Sequence, residues 1–365
     1  MTRRALALLA ASLLAGGARG DIGEAVPKPE LQLLAEAVRY VKREFARAVD
    51  DAVLASGCAD AVAALAGTAE RAASGLEAIP PLLMRAKAAA PPEVGYRRLV
   101  QSCIEGMVSM LDAHSRFISE IEFRSLYRGG PAKSEAMRPP KARAWWGEGD
   151  VLQLRIGRFT EGTRNELLRE LARLADGATR EPRGIVLDLR DNAGGTLLAA
   201  VDTSGVFLED GLEVGATRGR GQRLIASYHA NARERVSYYG PAVPMQLARA
   251  LKRAPLAVLV NERTASGAEI LAAALRGNGR ARLVGARTLG MGSVQTLFPL
   301  VGGAALKVTT AFWHAPKDVP LDGRPLDPDL AAGDEAAMRE ALRWLSGAGE
   351  KVRAPRAERA RGETD

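Results

Sequence analysis

The chain has 365 residues, 47% hydrophobic and 5% aromatic, enough for a sizeable core and for more than one domain. The formal charge is +8, carried mostly by arginine. The basic excess is scattered and is not interleaved with aromatics, which excludes a nucleic-acid-binding signature and leaves an ordinary solvated surface.

Thr2-Arg3-Arg4, an apolar run from Ala5 to Gly17, and Ala18-Arg19-Gly20 predict a secretory signal over residues 1–20, cleaved after Gly20. The run is short for a membrane span. The expectation is therefore an exported protein, periplasmic or extracellular, with no integral membrane segment once the signal is removed. The mature chain would carry 48 basic and 43 acidic side chains. Its two cysteines, Cys58 and Cys103, could pair in an oxidising compartment or stay as two buried thiols. Neither they nor the dispersed His114, His229 and His314 form a metal-ligand cluster, so no metal or cofactor is expected.

Residues 21–127 read as a helical amino-terminal region. Apolar residues at Leu33, Leu34, Ala37, Val38, Val41 and Phe45 predict a helix over residues 29–55, stopped at Ser56-Gly57. An Ala-rich helix follows from Ala59 to Ala90, broken at Pro80-Pro81. Tyr96 to Leu111 is a further helix, leading into Asp112-Ala113-His114-Ser115. Residues 128–150 are rich in Gly and Pro without periodicity and read as a linker.

A core is expected over residues 151–346. Val151 to Phe159 alternates like a strand, Thr163 to Ala175 is an amphipathic helix, and Gly184 to Leu189 is an apolar strand. That strand runs into Asp188-Leu189-Arg190-Asp191-Asn192-Ala193-Gly194-Gly195, and Leu197 to Phe207 is a helix. Paired glycines after a strand let backbone approach a ligand without Cβ in the way. Leu212 to Arg253 is less informative and includes a basic, Tyr-containing stretch, Arg218 to Tyr239, in which His229 reads as a surface residue.

Leu256 to Val260 is a short β-branched run suited to a strand buried on both faces. A small-residue turn, Thr264-Ala265-Ser266-Gly267, hands over to an Ala/Leu/Glu helix over 268–275, stopped by Gly277-Asn278-Gly279. Ser266 thus sits where backbone N–H groups lack intrahelical partners and can stabilise a developing oxyanion. The plainer reading of Ser266 is an ordinary N-cap. Strand Ala281 to Val284 leads to Leu289-Gly290-Met291-Gly292 and Ser293-Val294-Gln295. Leu297 to Leu300 and Ala304 to Thr310 read as paired strands, Glu335 to Leu345 as a final helix, and residues 347–365 as a disordered charged tail.

In order and spacing these motifs resemble the carboxy-terminal processing, or tail-specific, proteases. Their pattern is a helix with G-M-L-x-x-L-D-P-H-S, a D-L-R-x-N-x-G-G loop, N-x-x-S-A-S-A-S-E-I after a strand, and F-G-K-G-x-V-Q. The resemblance covers about 96–127 and 151–345. It implies an α/β fold with a crotonase-like βαβ core and an α-helical amino-terminal region. It implies Ser266 as nucleophile, Gly194 or Gly195 together with Gly267 as oxyanion-hole donors, and Gln295 as an orienting residue. His114 falls on a position that is structural in members using a lysine base.

Two departures follow. The family's general-base lysine falls on Met291, whose thioether has no proton-accepting nitrogen. The family's PDZ domain, which binds a substrate's carboxy terminus by strand addition, falls on residues 128–149, far short of the roughly 100 residues of a usual domain. One reading is therefore a serine-peptidase-like protein, catalytically impaired, that binds a polypeptide or partner protein. The other is an active serine endopeptidase with a substitute base among His314, Lys307 and Lys317. The spacing also predicts Met291 and Gln295 near the Ser266 side chain. Oligomeric state stays open.

Overall fold

The computed structural model describes residues 25–69, 74–127, 142–174, 181–231 and 242–353. The predicted signal, most of the predicted linker and the end of the tail lie outside the described residues. The contacts group into two units. The first comprises Met1–Met137, Gly219–Arg223 and Ser293–Ala311, and the second Arg138–Arg218, Leu224–Gly292 and Phe312–Asp365.

In the first unit, α1 (Lys28–Glu44) buries Leu33, Leu34, Ala37, Val38 and Val41 as one helical stripe. The single helix expected to residue 55 is instead two. The chain leaves helical geometry at Phe45, whose carbonyl accepts from Arg220 Nη2 at 2.8 Å, while the Ala46 N–H donates to the Thr309 carbonyl at 2.9 Å. These long-range partners satisfy backbone groups that a continuous helix would have used. α2 (Asp51–Ala66) then runs straight through the expected stop at Ser56-Gly57 and ends at Gly67, in the left-handed conformation. Pro80-Pro81 does not break a helix but opens α3 (Ile79–Ala89), where missing N–H groups cost nothing.

Gly57 serves helix contact. It meets Gly106 of α4 (Tyr96–Ser109) so closely that a Cβ on Gly106 would lie 2.0 Å from the Gly57 carbonyl oxygen. This approach brings Cys58 and Cys103 into a disulfide with Cα atoms 4.0 Å apart. The open question of the thiols is thereby answered. Replacing both cysteines by alanine is expected to lower the unfolding free energy by about 3 kcal/mol, because the bond closes a long loop in the unfolded chain. Urea unfolding followed by circular dichroism measures this, and a change below about 1 kcal/mol would show that the crosslink contributes little.

After α4 come β1 (Arg116–Ile118) and α5 (Glu120–Tyr127). Leu300, Ala304, Leu306 and Val308 share one apolar core with the amino-terminal helices. Residues 293–311 therefore belong with the helical region, and the expected single core over 151–346 is divided by packing that sequence order conceals.

The second unit is built on a six-stranded sheet. β2 (Arg143–Trp146) pairs antiparallel with β3 (Val151–Arg155), which is followed in parallel by β4 (Gly184–Asp188). After α6 (Thr163–Leu174) and the helix α7 (Leu197–Phe207), a hairpin of β5 (Glu213–Arg218) and β6 (Leu224–His229) and helix α8 (Met245–Arg253) lead to β7 (Leu256–Val260). α9 (Gly267–Gly277), β8 (Arg282–Gly285), β9 (Ser293–Pro299), β10 (Ala305–Ala315), β11 (Val319–Pro320), β12 (Leu330–Ala331) and α10 (Asp334–Arg353) complete the chain. The sheet order is β12-β8-β7-β4-β3-β2. β4 and β7 are buried throughout, as their unbroken apolar runs require. One face packs against Leu167, Leu271 and Phe207, the other against Ala337, Ala341 and Leu345 of α10. β2 corrects the linker expectation, since Ala144 is buried in the core and the strand ladder extends through Arg143–Arg155. α10 likewise continues beyond the predicted start of the tail at residue 347.

Candidate active site

The parallel strands β4 and β7 are neighbours, so the loops after them emerge side by side at the carboxyl edge of the sheet, where α/β proteins place ligands. The loop after β4 carries Gly194-Gly195 and the loop after β7 carries Ser266. The Ala265 N–H donates to the Asn192 carbonyl at 2.9 Å. A Cβ on Gly194 would lie 2.7 Å from Ser266 Cβ, so only glycine allows the two turns to meet.

The loop after β4 is held from below. Asp188, buried, receives Arg190 through Nε at 2.9 Å and Nη2 at 2.8 Å. The Asn261 side chain joins the loops by accepting the Asp191 N–H at 3.0 Å and donating to Asp191 Oδ1 at 2.9 Å. Hydrogen bonding from Asn261 holds Asp191 below the usual carboxylate range, with Arg263 adding to it and burial opposing. Asn192, fully buried, donates to the Ile156 carbonyl at 2.8 Å and accepts the Gly194 N–H at 2.8 Å.

That last bond separates the two glycines, which the sequence left as alternatives. Gly194 spends its N–H on Asn192. Gly195 has φ +148°, and its N–H lies 3.5 Å from where a Cβ on Gly267 would stand. Gly195 is therefore the glycine of the two whose nitrogen lies beside Gly267 of the serine turn, with the Gly194 N–H already taken.

Ser266 opens α9 with φ 52° and ψ −118°. An ordinary N-cap has extended backbone. A non-glycine residue in this region costs about 1–3 kcal/mol and persists only when its surroundings dictate it. Ser266 is the N-cap of α9 as the plainer reading has it, in a capping box with Glu269, but capping alone does not account for its backbone geometry. What fixes the turn is Glu269, one turn into α9 and fully buried. Its Oε2 accepts the Ser266 N–H at 3.0 Å and the Met291 N–H at 2.8 Å. Its Oε1 accepts the Gly290 N–H at 2.7 Å and the Thr288 hydroxyl. One carboxylate thus ties the serine turn to the Gly-Met-Gly turn, and the expected convergence of Ser266 and Met291 is built on a residue to which the sequence reading gave no role. Its signal was there: Glu at the third helical position after a Ser is half of a capping box.

The Gly-Met-Gly turn is also pinned from the other side. A Cβ on Gly290 would lie 2.7 Å from Pro325, and one on Gly292 would lie 2.3 Å from the Asp322 nitrogen. The Met291 side chain is half-buried. Gln295 lies in the first unit, where its Nε2 donates to Ser293 Oγ and Thr309 Oγ1.

The substitute bases are placed as follows. His314 is buried, with Nδ1 2.8 Å from Asp318 Oδ1. Lys317 follows Pro316, which packs on Gly277 at the far end of α9 from Ser266, about 16 Å along an eleven-residue helix. Lys307 belongs to the first unit, where burial and then Arg116 lower its pKa. His114 is half-buried, and its backbone N–H is held by Asp112 Oδ1 at 2.9 Å. His229 is exposed.

Fold and turn together define the class, an α/β protein with a serine at a strained strand-to-helix turn on the carboxyl edge of its parallel strands. The model of Peptidase family S41 matches residues 150–332, half of the chain, and the chain belongs to that family. The carboxy-terminal-processing protease of Bartonella bacilliformis is 35% identical over 184 residues, covering 50% of this chain and 39% of that protein. The carboxyl-terminal-processing protease of Picosynechococcus sp. is 36% identical over 183 residues, with 50% and 39% covered. The chain thus aligns with well under half the length of these relatives. Among solved structures, a photosystem II D1 C-terminal processing protease superposes with TM-score 0.57 at 18% identity, covering 88% of this chain and 98% of that one. A lipoprotein from Streptococcus agalactiae gives TM-score 0.56 at 16% identity, covering 90% and 100%. These two share the fold.

Proposed function

We propose that the chain is an exported serine-peptidase-like protein, catalytically impaired, that binds polypeptide or a partner protein. The observation that carries this reading is Glu269 Oε2, which receives the N–H groups of both Ser266 and Met291. Residue 291 therefore stands beside the serine turn, at the position to which the family resemblance gives the general-base lysine. A thioether cannot take the serine's proton. The donors at Gly195 and Gly267 would still hold a carbonyl oxygen, so the site keeps a polypeptide-binding function without the group that activates the nucleophile.

The Cys58–Cys103 disulfide supports export to a periplasmic or extracellular compartment, because such bonds persist in oxidising surroundings. No helix among the described residues is long and apolar enough to cross a membrane. We further propose that residues 128–150 stand in place of the family's PDZ domain, being too few for a domain of roughly 100 residues.

The test is digestion of denatured casein by the wild type and by Ser266→Ala, with casein binding measured in parallel by fluorescence anisotropy. Both forms are expected to bind casein and neither to digest it. Digestion by the wild type that Ser266→Ala abolishes would reveal another base and overturn the reading.

A further inference from the structure

The second unit holds a cavity of about 610 Å³ at the amino edge of its sheet, where β7 begins at Leu256 and β8 at Arg282. The Ser266 turn follows the other end of β7, so the cavity is separate from that site. Its volume falls within the roughly 300–1,000 Å³ of small-molecule sites. The carboxy-terminal ends of α7, α8 and α9 contribute to its wall. Five basic side chains line it, Lys252, Arg253, Arg276, Arg280 and Arg282, against one acidic side chain, Glu209.

These charges do not all find partners. Lys252 lies 3.2 Å from Asp210 and 3.8 Å from Glu209, Arg253 lies 3.9 Å from Glu209, and Arg282 lies 3.7 Å from Asp329. Among the described residues Arg276 and Arg280 have no carboxylate in salt-bridge range, and both donate to main-chain carbonyls instead. Arg276 Nη1 reaches the Asp327 carbonyl at 2.6 Å, and Arg280 gives Nε to Phe207 at 3.1 Å and Nη2 to Leu251 at 2.6 Å. Burial pushes the Arg280 guanidinium down to about 10, with Glu209 opposing, so it stays charged at neutral pH.

Helix carboxyl ends carry partial negative charge, and the plainest role for these arginines is to cap them. Capping does not exhaust them. The Phe207 and Leu251 carbonyls are taken by Arg280, and those of Leu275 and Arg276 accept the N–H groups of Arg280 and Gly279 at 2.8 and 2.9 Å. A guanidinium has five N–H donors, of which Arg280 spends two and Arg276 one on these bonds. The wall is thus left with guanidinium N–H groups in excess of acceptors, and with two positive charges in excess of carboxylates.

We infer that this cavity binds a small organic phosphate ester, its phosphate on Arg276 and Arg280 and its apolar body against Leu212, Pro255 and Trp344. A phosphate ester is a dianion above its second pKa of about 6, which matches the two uncompensated charges on a single head group. The guanidinium fork fits pairs of phosphate oxygens. Leu212 is exposed and Trp344 half-buried, apolar surface that an organic body would cover and that inorganic phosphate would not.

Isothermal titration of the full chain at pH 8 with phenyl phosphate, inorganic phosphate and benzoate tests the site. Phenyl phosphate should bind at least about tenfold more tightly than inorganic phosphate, which lacks the body, and than benzoate, which lacks the second charge. Arg276→Gln should weaken phenyl phosphate about tenfold or more, the worth of a hydrogen bond to a charged group. Leu212→Glu, which sets a carboxylate in the lining at an exposed position, should weaken it comparably without disturbing the fold. Circular dichroism of both variants checks the fold. A wild type that gives no binding heat, or phenyl phosphate affinity unchanged in a folded Arg276→Gln or Leu212→Glu, would overturn the site and leave its arginines as helix caps. Benzoate binding as tightly as phenyl phosphate would overturn the dianion. None of these outcomes bears on polypeptide binding at the serine turn.

Discussion

Met291→Lys is expected to create Ser266-dependent hydrolysis of denatured casein, about 10²-fold or more above the wild type. A positioned general base is worth about that much where the rest of the site is in place. The Met291 backbone N–H bonds to Glu269 and does not depend on the side chain, so the turn should survive the exchange. Residue 291 is half-buried, and partial desolvation would depress the new ammonium's pKa toward the range in which it can accept a proton. The gain should appear in kcat more than in KM, because the substitution adds no surface for substrate. The decisive control is Met291→Lys combined with Ser266→Ala, which should return the rate to the wild-type baseline. A Met291→Lys protein that folds normally and shows no gain would mean that the donors at Gly195 and Gly267 are not aimed at a reacting carbonyl.

Glu269→Ala should be among the most destabilising single changes in the chain. It strands four donors around the fully buried carboxylate, the Gly290 N–H and Thr288 hydroxyl in buried places and the Ser266 and Met291 N–H groups in half-buried ones. An unsatisfied buried donor costs about 1–3 kcal/mol, so a loss of at least about 3 kcal/mol is expected even after water fills part of the gap. Glu269→Gln should fall between, since one amide oxygen can replace only part of the carboxylate. Because the same carboxylate offsets the strain at Ser266, either change should also loosen the serine turn. Guanidinium unfolding measures the stability and amide exchange at Ser266 and Met291 the loosening. A loss below about 1 kcal/mol in Glu269→Ala would refute its organising role.

Much of the second unit was legible because its local signals agree. Leu256 to Val260 is too apolar for an exposed strand, Gly277-Asn278-Gly279 stops α9 as read, and Leu197–Phe207 is a helix over the expected span. The first unit was less legible. The break after Glu44 is made by Arg220 and Thr309, distant in sequence, and nothing in residues 40–50 announces them. Gly57 reads locally as a stop, yet it is the small residue that lets α2 and α4 touch. Arg143 to Trp146 follows a Gly/Pro-rich stretch and gains strand geometry from the β3 edge it pairs with.

By itself, the sequence determined the order of the chemistry-bearing loops and the identity of their residues: a Gly-Gly turn, a serine at a strand-to-helix handover, and a methionine between two glycines. Periodicity and turn chemistry are local, and these features are local. The tertiary structure alone decided that Gly194 gives its N–H to Asn192, that Glu269 joins Ser266 to Met291, and that Cys58 meets Cys103. Each of these depends on which backbone groups already have partners, and that is settled only when the strands and helices have been brought together.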